Sequence, residues 1–405
     1  MRLHTGNMYW PSTFAGSIHY PPLLSKKKTR VAIVGGGMSG VLCGYLFAKS
    51  GIPAILIEQK TIASGSTSAN TGFIQYSNDT LLSELTDSIG EQDAVSFYRS
   101  SNQAAQHLYT LIAGMRRKVH FKRRSSLYYA SKAEDVPSMR KEYELLNKHG
   151  FGVFWWEEAQ IAECFPFRRA AAIVTPGDAE INPYLFVQAL AEDAQVYGLE
   201  VFENTAMQAV EPTSEGYRVI TSQGEIEAEQ IVYAVGYIPE HAGGQWVRPT
   251  FSRSYAIVTD PISSLSDWHS RFMIWESARP YLYMRTTFDN RIIIGGLDEN
   301  IRMPVRKDQE LRKHSNELLS ALKSLFPNLS PQIRYELCAT FAGSEDGLPW
   351  IGEDPQRPGQ HYCLGYGGNG IIYSMLGAEI IRDHLLGIYN PIAAIVRPDR
   401  LVVTK

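Results

Sequence analysis

The chain has 405 residues, enough for two or three domains of roughly 100–200 residues each or one large two-lobed enzyme. Its 39 Lys and Arg against 42 Asp and Glu give a net charge of −3, which excludes a dedicated nucleic-acid binder or a polybasic membrane anchor. Apolar residues at 44% exclude a disordered chain, and four scattered cysteines (Cys43, Cys164, Cys338, Cys363) exclude a disulfide-stapled fold and a cysteine-based zinc site.

In chain order, residues 1–29 read as an aromatic and proline-rich arm. Its basic cluster follows the apolar stretch, the reverse of a secretory signal. No window approaches the roughly 20 apolar residues of a membrane span. The expected compartment is the cytoplasm. VAIVGGG from Val31 reads as a buried parallel strand, Met38 to Ser50 as a helix closed by Gly51, and Ala54 to Glu58 as a second buried strand, together a βαβ unit. Leu81 to about Met115 reads as one or two long helices. Strands SLYYA and AAIVT then flank a charged helix at 132–149. Pro183 to Tyr197 is helical, with Asn182-Pro183 as cap and first position. Short strands follow, then period-two alternation over 250–300, which points to an antiparallel sheet. Arg306 to Leu325 is helical, and the chain returns to strand, glycine turn and helix at its end.

This order predicts an α/β protein, a doubly wound, Rossmann-like domain interleaved with a mixed, largely antiparallel sheet. The expected segments are 30–119, 182–240 and 339–405 for the nucleotide domain, and 120–181 and 241–338 for the substrate domain.

The strongest motif is Gly35-Gly36-Gly37-Met38-Ser39-Gly40, followed by Glu58. Gly35 permits the turn out of the strand, Gly37 a close approach to a pyrophosphate, and Gly40 tight helix–strand packing. The helix start offers free N–H groups and a positive dipole end. Glu58 suits ribose hydroxyls and disfavours a 2′-phosphate. The small-residue stretch Ser64 to Gly72 reads either as a surface loop or as a second backbone-rich cradle. Gly365-Tyr366-Gly367-Gly368-Asn369-Gly370 opens another helix, a fitting place for the negative charge of a reduced flavin, with Tyr366 beside it. Two glycine-rich helix starts near opposite ends of the chain fit one long FAD better than a nicotinamide cofactor.

VAIVGGGMSG, IEQ, SGSTSANTG, GDAEINPYLFVQAL, VYAVGY, GLPWIG and LGYGGNGI, in this order over about residues 28–390, resemble the D-amino-acid oxidase/glycine oxidase superfamily of FAD-dependent oxidoreductases. They are particularly similar to bacterial amine or γ-glutamylputrescine-type members. The resemblance implies that Gly35, Gly37, Met38, Ser39, Gly40, Glu58 and Gln59 hold the ADP half of a non-covalent FAD. It places Ser66, Thr67, Asn70, Thr71 and Gly72 along the flavin and Thr205–Met207 at the adenine. Gly236 lies in the Ala234-Val235-Gly236 turn, and Gly367, Gly368, Asn369, Gly370 and Ile371 at the pyrimidine edge. The implied chemistry is hydride transfer from a carbon bearing an amine to flavin N5, leaving an imine that hydrolyses. Dehydrogenation of a hydroxy compound, or a flavin subunit acting only with a partner, are the alternatives.

For the substrate, strand alternation puts Tyr281, Tyr283 and Arg285 on one face, where two phenols and a guanidinium would bind a carboxylate; the same pattern also describes a solvated face. Arg253 and Tyr255 are weaker candidates. The family's amino-acid oxidases have an arginine shortly before Asp-Gly-x-Pro. Here that stretch is Cys338 to Ala342, which turns the expectation from an α-amino acid towards an amine. Cys338 falls near where sarcosine oxidases bond flavin, which makes a covalent link the minor alternative. The 10 His show no ligand spacing, so no metal is expected. Expected partners are a small amine and, as an open alternative, an oligomer or partner subunit. The arm carrying Tyr9-Trp10-Pro11 is expected to dock on this chain or a neighbour.

Overall fold

The computed structural model describes residues 3–14, 16, 18–77, 79–237, 246–364 and 367–400. Two sheets organise them.

In the first, strands run in the order Trp350–Asp354, Arg357–Leu364, Glu225–Tyr233, Lys26–Val34, Ala54–Ile57 and Glu200–Phe202, with Met207–Thr213 and Gly216–Thr221 as a hairpin off Glu225–Tyr233. The four strands from 225–233 to 200–202 are mutually parallel. Val31–Val34 and Ala54–Ile57 are fully apolar because both faces are covered. Helices Met38–Lys49, Pro183–Val196 and Gly370–Leu385 pack on one face. The strand containing Val31 begins earlier than expected, at Lys26. Its basic start is a parallel partner of Glu225–Glu227, and the Lys26 ammonium lies 2.5 Å from Glu227 and 3.2 Å from Glu225.

The second sheet runs His4–Gly6, Ile333–Gly343, Thr250–Thr259, Ile292–Glu299, Tyr283–Thr286, Met273–Glu276, Lys122–Tyr129, Ala171–Glu180 and Phe73–Ile74. It is antiparallel except where Met273–Glu276 meets Lys122–Tyr129. Phe154–Glu157 pairs off Ala171–Glu180. Helix Asp308–Leu325 closes its outer face over a separate core that includes Leu318, Leu322, Ile257 and Ile294. Two strands sit differently from the expected segments: Phe73–Ile74 joins this sheet from inside 30–119, and Ile333–Gly343 crosses the 338/339 division.

The long helical stretch after Leu81 is two helices, Leu82–Ile89 and Glu91–Ala113, broken at Gly90 with φ +85°. The arm docks on its own chain. His4–Gly6 adds an edge strand, the Trp10 indole N–H donates to the Asn70 carbonyl (2.6 Å), and the Tyr9 hydroxyl donates to Asp289 (2.5 Å). No helix among the described residues is long and apolar enough to cross a membrane.

Candidate active site

Between the sheets lies one cavity of about 710 Å³. At one end it meets the first βα turn. Gly35 has φ +113° there, and a Cβ at Gly40 would stand 1.8 Å from the Gly35 carbonyl oxygen, so helix and turn touch backbone to backbone. A Cβ at Gly37 would meet only Thr67 Oγ1 at 3.4 Å; the rest of its surroundings are cavity. Gly37 caps helix Met38–Lys49 without a side-chain partner, while the Met38 N–H donates to Thr67 Oγ1 (3.1 Å).

The Glu58 carboxylate accepts the N–H groups of Gly36 and Lys60, both at 2.8 Å. Burial pushes its pKa up and these donors hold it down. A carboxylate has about four acceptor directions, so two bonds leave others for ribose hydroxyls. Gln59, Thr205, Ala206, Met207 and Gly236 line the same end.

The second helix start is tied to the first. Ser39 Oγ and Ser374 Oγ are 3.0 Å apart, so helices Met38–Lys49 and Gly370–Leu385 aim their N-termini at one space. Gly368 donates its N–H to Asp79 Oδ2 (2.8 Å), Asp79 donates its own to Asn369 Oδ1 (3.0 Å), and Asn369 Nδ2 donates to the Ser77 carbonyl (3.0 Å). Asp79 had no motif to mark it in the sequence.

Of the anticipated cofactor residues, Gly35, Gly37, Met38, Ser39, Glu58, Gln59, Ser66, Thr67, Asn70, Thr71, Met207, Gly236, Gly367, Gly368, Asn369 and Gly370 line this cavity. Three do not. Gly40 is spent on packing; Gly72 is pinned under Ile181, whose carbonyl oxygen would be 2.3 Å from an added Cβ; and Ile371 is buried while Ile372 faces the cavity. Gly365 and Tyr366 lie outside the described residues.

The donor set fits FAD. Two open helix N-termini, an acid for the ribose and a backbone-rich loop lie along one continuous space, and Ser66 Oγ is buried there with no partner among the described residues.

At the far end, Trp275, Tyr281, Tyr283 and Phe73 form an aromatic chamber with Asp79, Asp298, Gln75 and Ser254. The Tyr281 and Tyr283 rings are 5.8 Å apart, and Phe73 meets Tyr283 edge-on at 5.6 Å. Gly295 makes this arrangement feasible, since a Cβ there would strike the Tyr283 ring. Burial, with Asp79 and Asp298 adding to it, pushes both phenols well up; they act as neutral walls and donors, not bases.

Arg285 departs from the expectation. It shares the face of Tyr283, but two residues further along that face is roofed. Its guanidinium donates to the carbonyls of Thr71 (2.7 Å), Ile181 (2.9 Å) and Thr286 (3.0 Å) and lies 3.7 Å from Glu180. It holds the loop and does not line the cavity. Arg253 is likewise bound to Glu299 and Glu310, and the Tyr255 hydroxyl donates to Glu299. No arginine is among the described residues lining the cavity.

Cys338 also points elsewhere. Leu337 and Ala339 of its strand line the cavity, whereas its thiol sits in the second core, accepts the Val305 N–H (3.5 Å) and is pushed up to about 11 by burial. Acid precipitation is expected to leave all yellow colour in the supernatant, and Cys338→Ser to keep wild-type flavin content. A coloured pellet from wild type that turns white in the variant would reverse this placement.

The histidines are less scattered than the sequence suggested. Glu353, His361 and His384 bring ligand atoms within 4.8 Å of one another on the outer edge of the first sheet. His361 Nε2 is hydrogen-bonded to Gln230, Glu353 accepts the Gly359 N–H, and His384 Nε2 lies 3.6 Å from the Glu353 carboxylate, so all three already have protein partners.

Residues 30–384 match the family model described as DAO, FAD dependent oxidoreductase, and the chain belongs to this family of FAD-dependent oxidoreductases. It is 24% identical over 374 residues to glycine oxidase of Geobacillus kaustophilus, covering 87% of this chain and 92% of that protein. It is 26% identical over 388 residues to mitochondrial dimethylglycine dehydrogenase of Mus musculus, covering 89% of this chain but only 43% of that protein. The crystal structure of L-proline dehydrogenase from P. horikoshii has the same fold, with a TM-score of 0.77 at 20% identity, covering 93% of this chain and 98% of that one.

Proposed function

We propose that the protein oxidises the CH–NH bond of a small amine that lacks an α-carboxylate. One observation carries this reading: the cavity that cradles the nucleotide runs on into a chamber of aromatic walls and carboxylates with no guanidinium among its described lining residues. An α-carboxylate placed there would face Asp79 and Asp298, while the nearby Arg279 guanidinium is turned to the Ala278 and Asp79 carbonyls and does not line the cavity. Bound FAD supplies the hydride acceptor. The chain's own part is positioning and dryness: Tyr281, Tyr283 and Trp275 wall the substrate chamber against water, and the neutral phenols take no part as bases. The substrate loses a hydride from carbon and a proton from nitrogen, and water converts the resulting imine to a carbonyl compound and an amine.

Anaerobic mixing tests this. Alkylamines and N-methylalkylamines are expected to bleach the flavin band, while 2-hydroxy acids, polyols and glycine leave it unchanged. Bleaching by hydroxy compounds alone would transfer the reading to CH–OH oxidation. A flavin that no donor reduces would leave a binding subunit.

A further inference from the structure

Strand Ile292–Glu299 slips against its neighbour. Arg253 pairs with Glu299 and Tyr255 with Gly296, so the intervening stretch of the first strand holds one residue too many. The extra residue is accommodated by Gly296 at φ +138° and Leu297 at φ +58°, a left-handed conformation that costs leucine about 1 kcal/mol or more. A bulge of this kind re-aims the side chain that follows, and that side chain is Asp298, which lines the cavity.

Asp298 differs from Asp79. Asp79 spends one oxygen on the Gly368 N–H and the other on the Tyr281 hydroxyl. Asp298 Oδ1 is buried and has no hydrogen-bond partner among the described residues. Burial pushes the acid up to about 6, with Asp79 adding to the rise and the Ser254 hydroxyl and the Arg279 guanidinium opposing it. An ionised oxygen held out of water without a donor is costly unless a ligand brings one. The Arg279 guanidinium already stands 5.1 Å from the Tyr281 ring, and the adjoining faces of Tyr283 and Trp275 favour a further cation in the same space.

The nitrogen that is oxidised is not that cation. An ionised carboxylate beside it would hold it protonated, without the lone pair that expels the hydride. We propose that Asp298 is a specificity-determining residue that binds a second, non-reacting ammonium of the substrate, which makes diamines and related dicationic amines the substrate class. This rests on the amine-oxidation reading above.

The test uses the holoprotein with 1,4-diaminobutane and 1,6-diaminohexane against butylamine and hexylamine. Dissociation constants come from anaerobic perturbation of the flavin spectrum, and rates from its bleaching. Diamines are expected to bind about 30-fold more tightly than the matching alkylamines. Asp298→Asn should bring that ratio close to one. Asp298→Glu, which keeps the charge, should restore most of the preference and stands in should Asp298→Asn fail to hold flavin. Equal binding of diamines and monoamines by wild type, or a preference that survives in Asp298→Asn, overturns the proposal. Diamines that bind selectively yet never bleach the flavin would sink the oxidation reading and leave the cation site standing. Amines that bleach it without any diamine preference do the reverse.

Discussion

Arg285→Met is expected to lower stability by about 3–5 kcal/mol, the cost of orphaning a buried charge partner, and to leave the choice between acidic and neutral amines unchanged. The guanidinium serves three carbonyls, Thr71, Ile181 and Thr286, and is one of two arginines facing buried Glu180. Methionine fills much of the volume but donates to none of them. Three acceptors lose their donor, and Glu180 keeps only Arg124, at 2.8 Å. The effect reaches the cofactor through the Thr71 carbonyl, because Asn70 and Thr71 line the cavity and the Asn70 side chain accepts the Gly72 N–H. Flavin should therefore dissociate more readily as the melting temperature falls. Arg285→Lys should rescue little, since one ammonium cannot reproduce a planar fork spread over three carbonyls. Thermal melts, flavin release and KM for an amine pair with and without a distant carboxylate decide it. An unchanged melting temperature with selective loss of the acidic donor would return Arg285 to an anion-binding role.

Arg285 also marks the limit of what the sequence conveys. Period-two alternation places it on the face of Tyr283, and that much holds. Whether that face is open or roofed depends on Thr71 and Ile181, which are remote in sequence and come together only when Phe73–Ile74 pairs with Ala171–Glu180. The nucleotide end was legible because its determinants are local: a turn, a helix start and the end of the next strand all lie between Val31 and Glu58. The chamber is built from non-local parts. Asp79 has no neighbour in sequence that foretells its bond to Gly368. Asp298 did have a signal that went unread, the Gly295-Gly296 pair inside an apolar strand, which commonly marks a bulge or a close approach. The arm carried a weaker one, since Tyr9 and Trp10 are large amphipathic residues that seek burial with a partner for the polar tip.

The second large effect belongs to Gly40. Gly40→Ala should give a protein that loses FAD on purification, with affinity reduced about 100-fold or more. The added Cβ would stand 1.8 Å from the Gly35 carbonyl oxygen and 3.3 Å from the Ala234 Cβ. The first of these neighbours is backbone and cannot swing aside. Gly35 has no room either, because its own Cβ position lies 2.4 Å from the Ala234 carbonyl oxygen on the adjacent strand. Relief must come from helix Met38–Lys49 backing away, which withdraws the Gly37–Ser39 backbone from the nucleotide and pulls on the Ser39–Ser374 link to the second helix start. Overpacking of a core typically costs 1–3 kcal/mol, and a clash between two backbones lies at the upper end of that range. Gly65→Ala is the matched control: Gly65 lines the same cavity, has φ −82°, and a Cβ there meets nothing within 4 Å. The ratio of flavin to protein absorbance and a fluorescence titration with FAD compare the two variants. Equal retention of flavin by both would mean that the helix can retreat without cost, and that Gly40 does not set the geometry of the phosphate site.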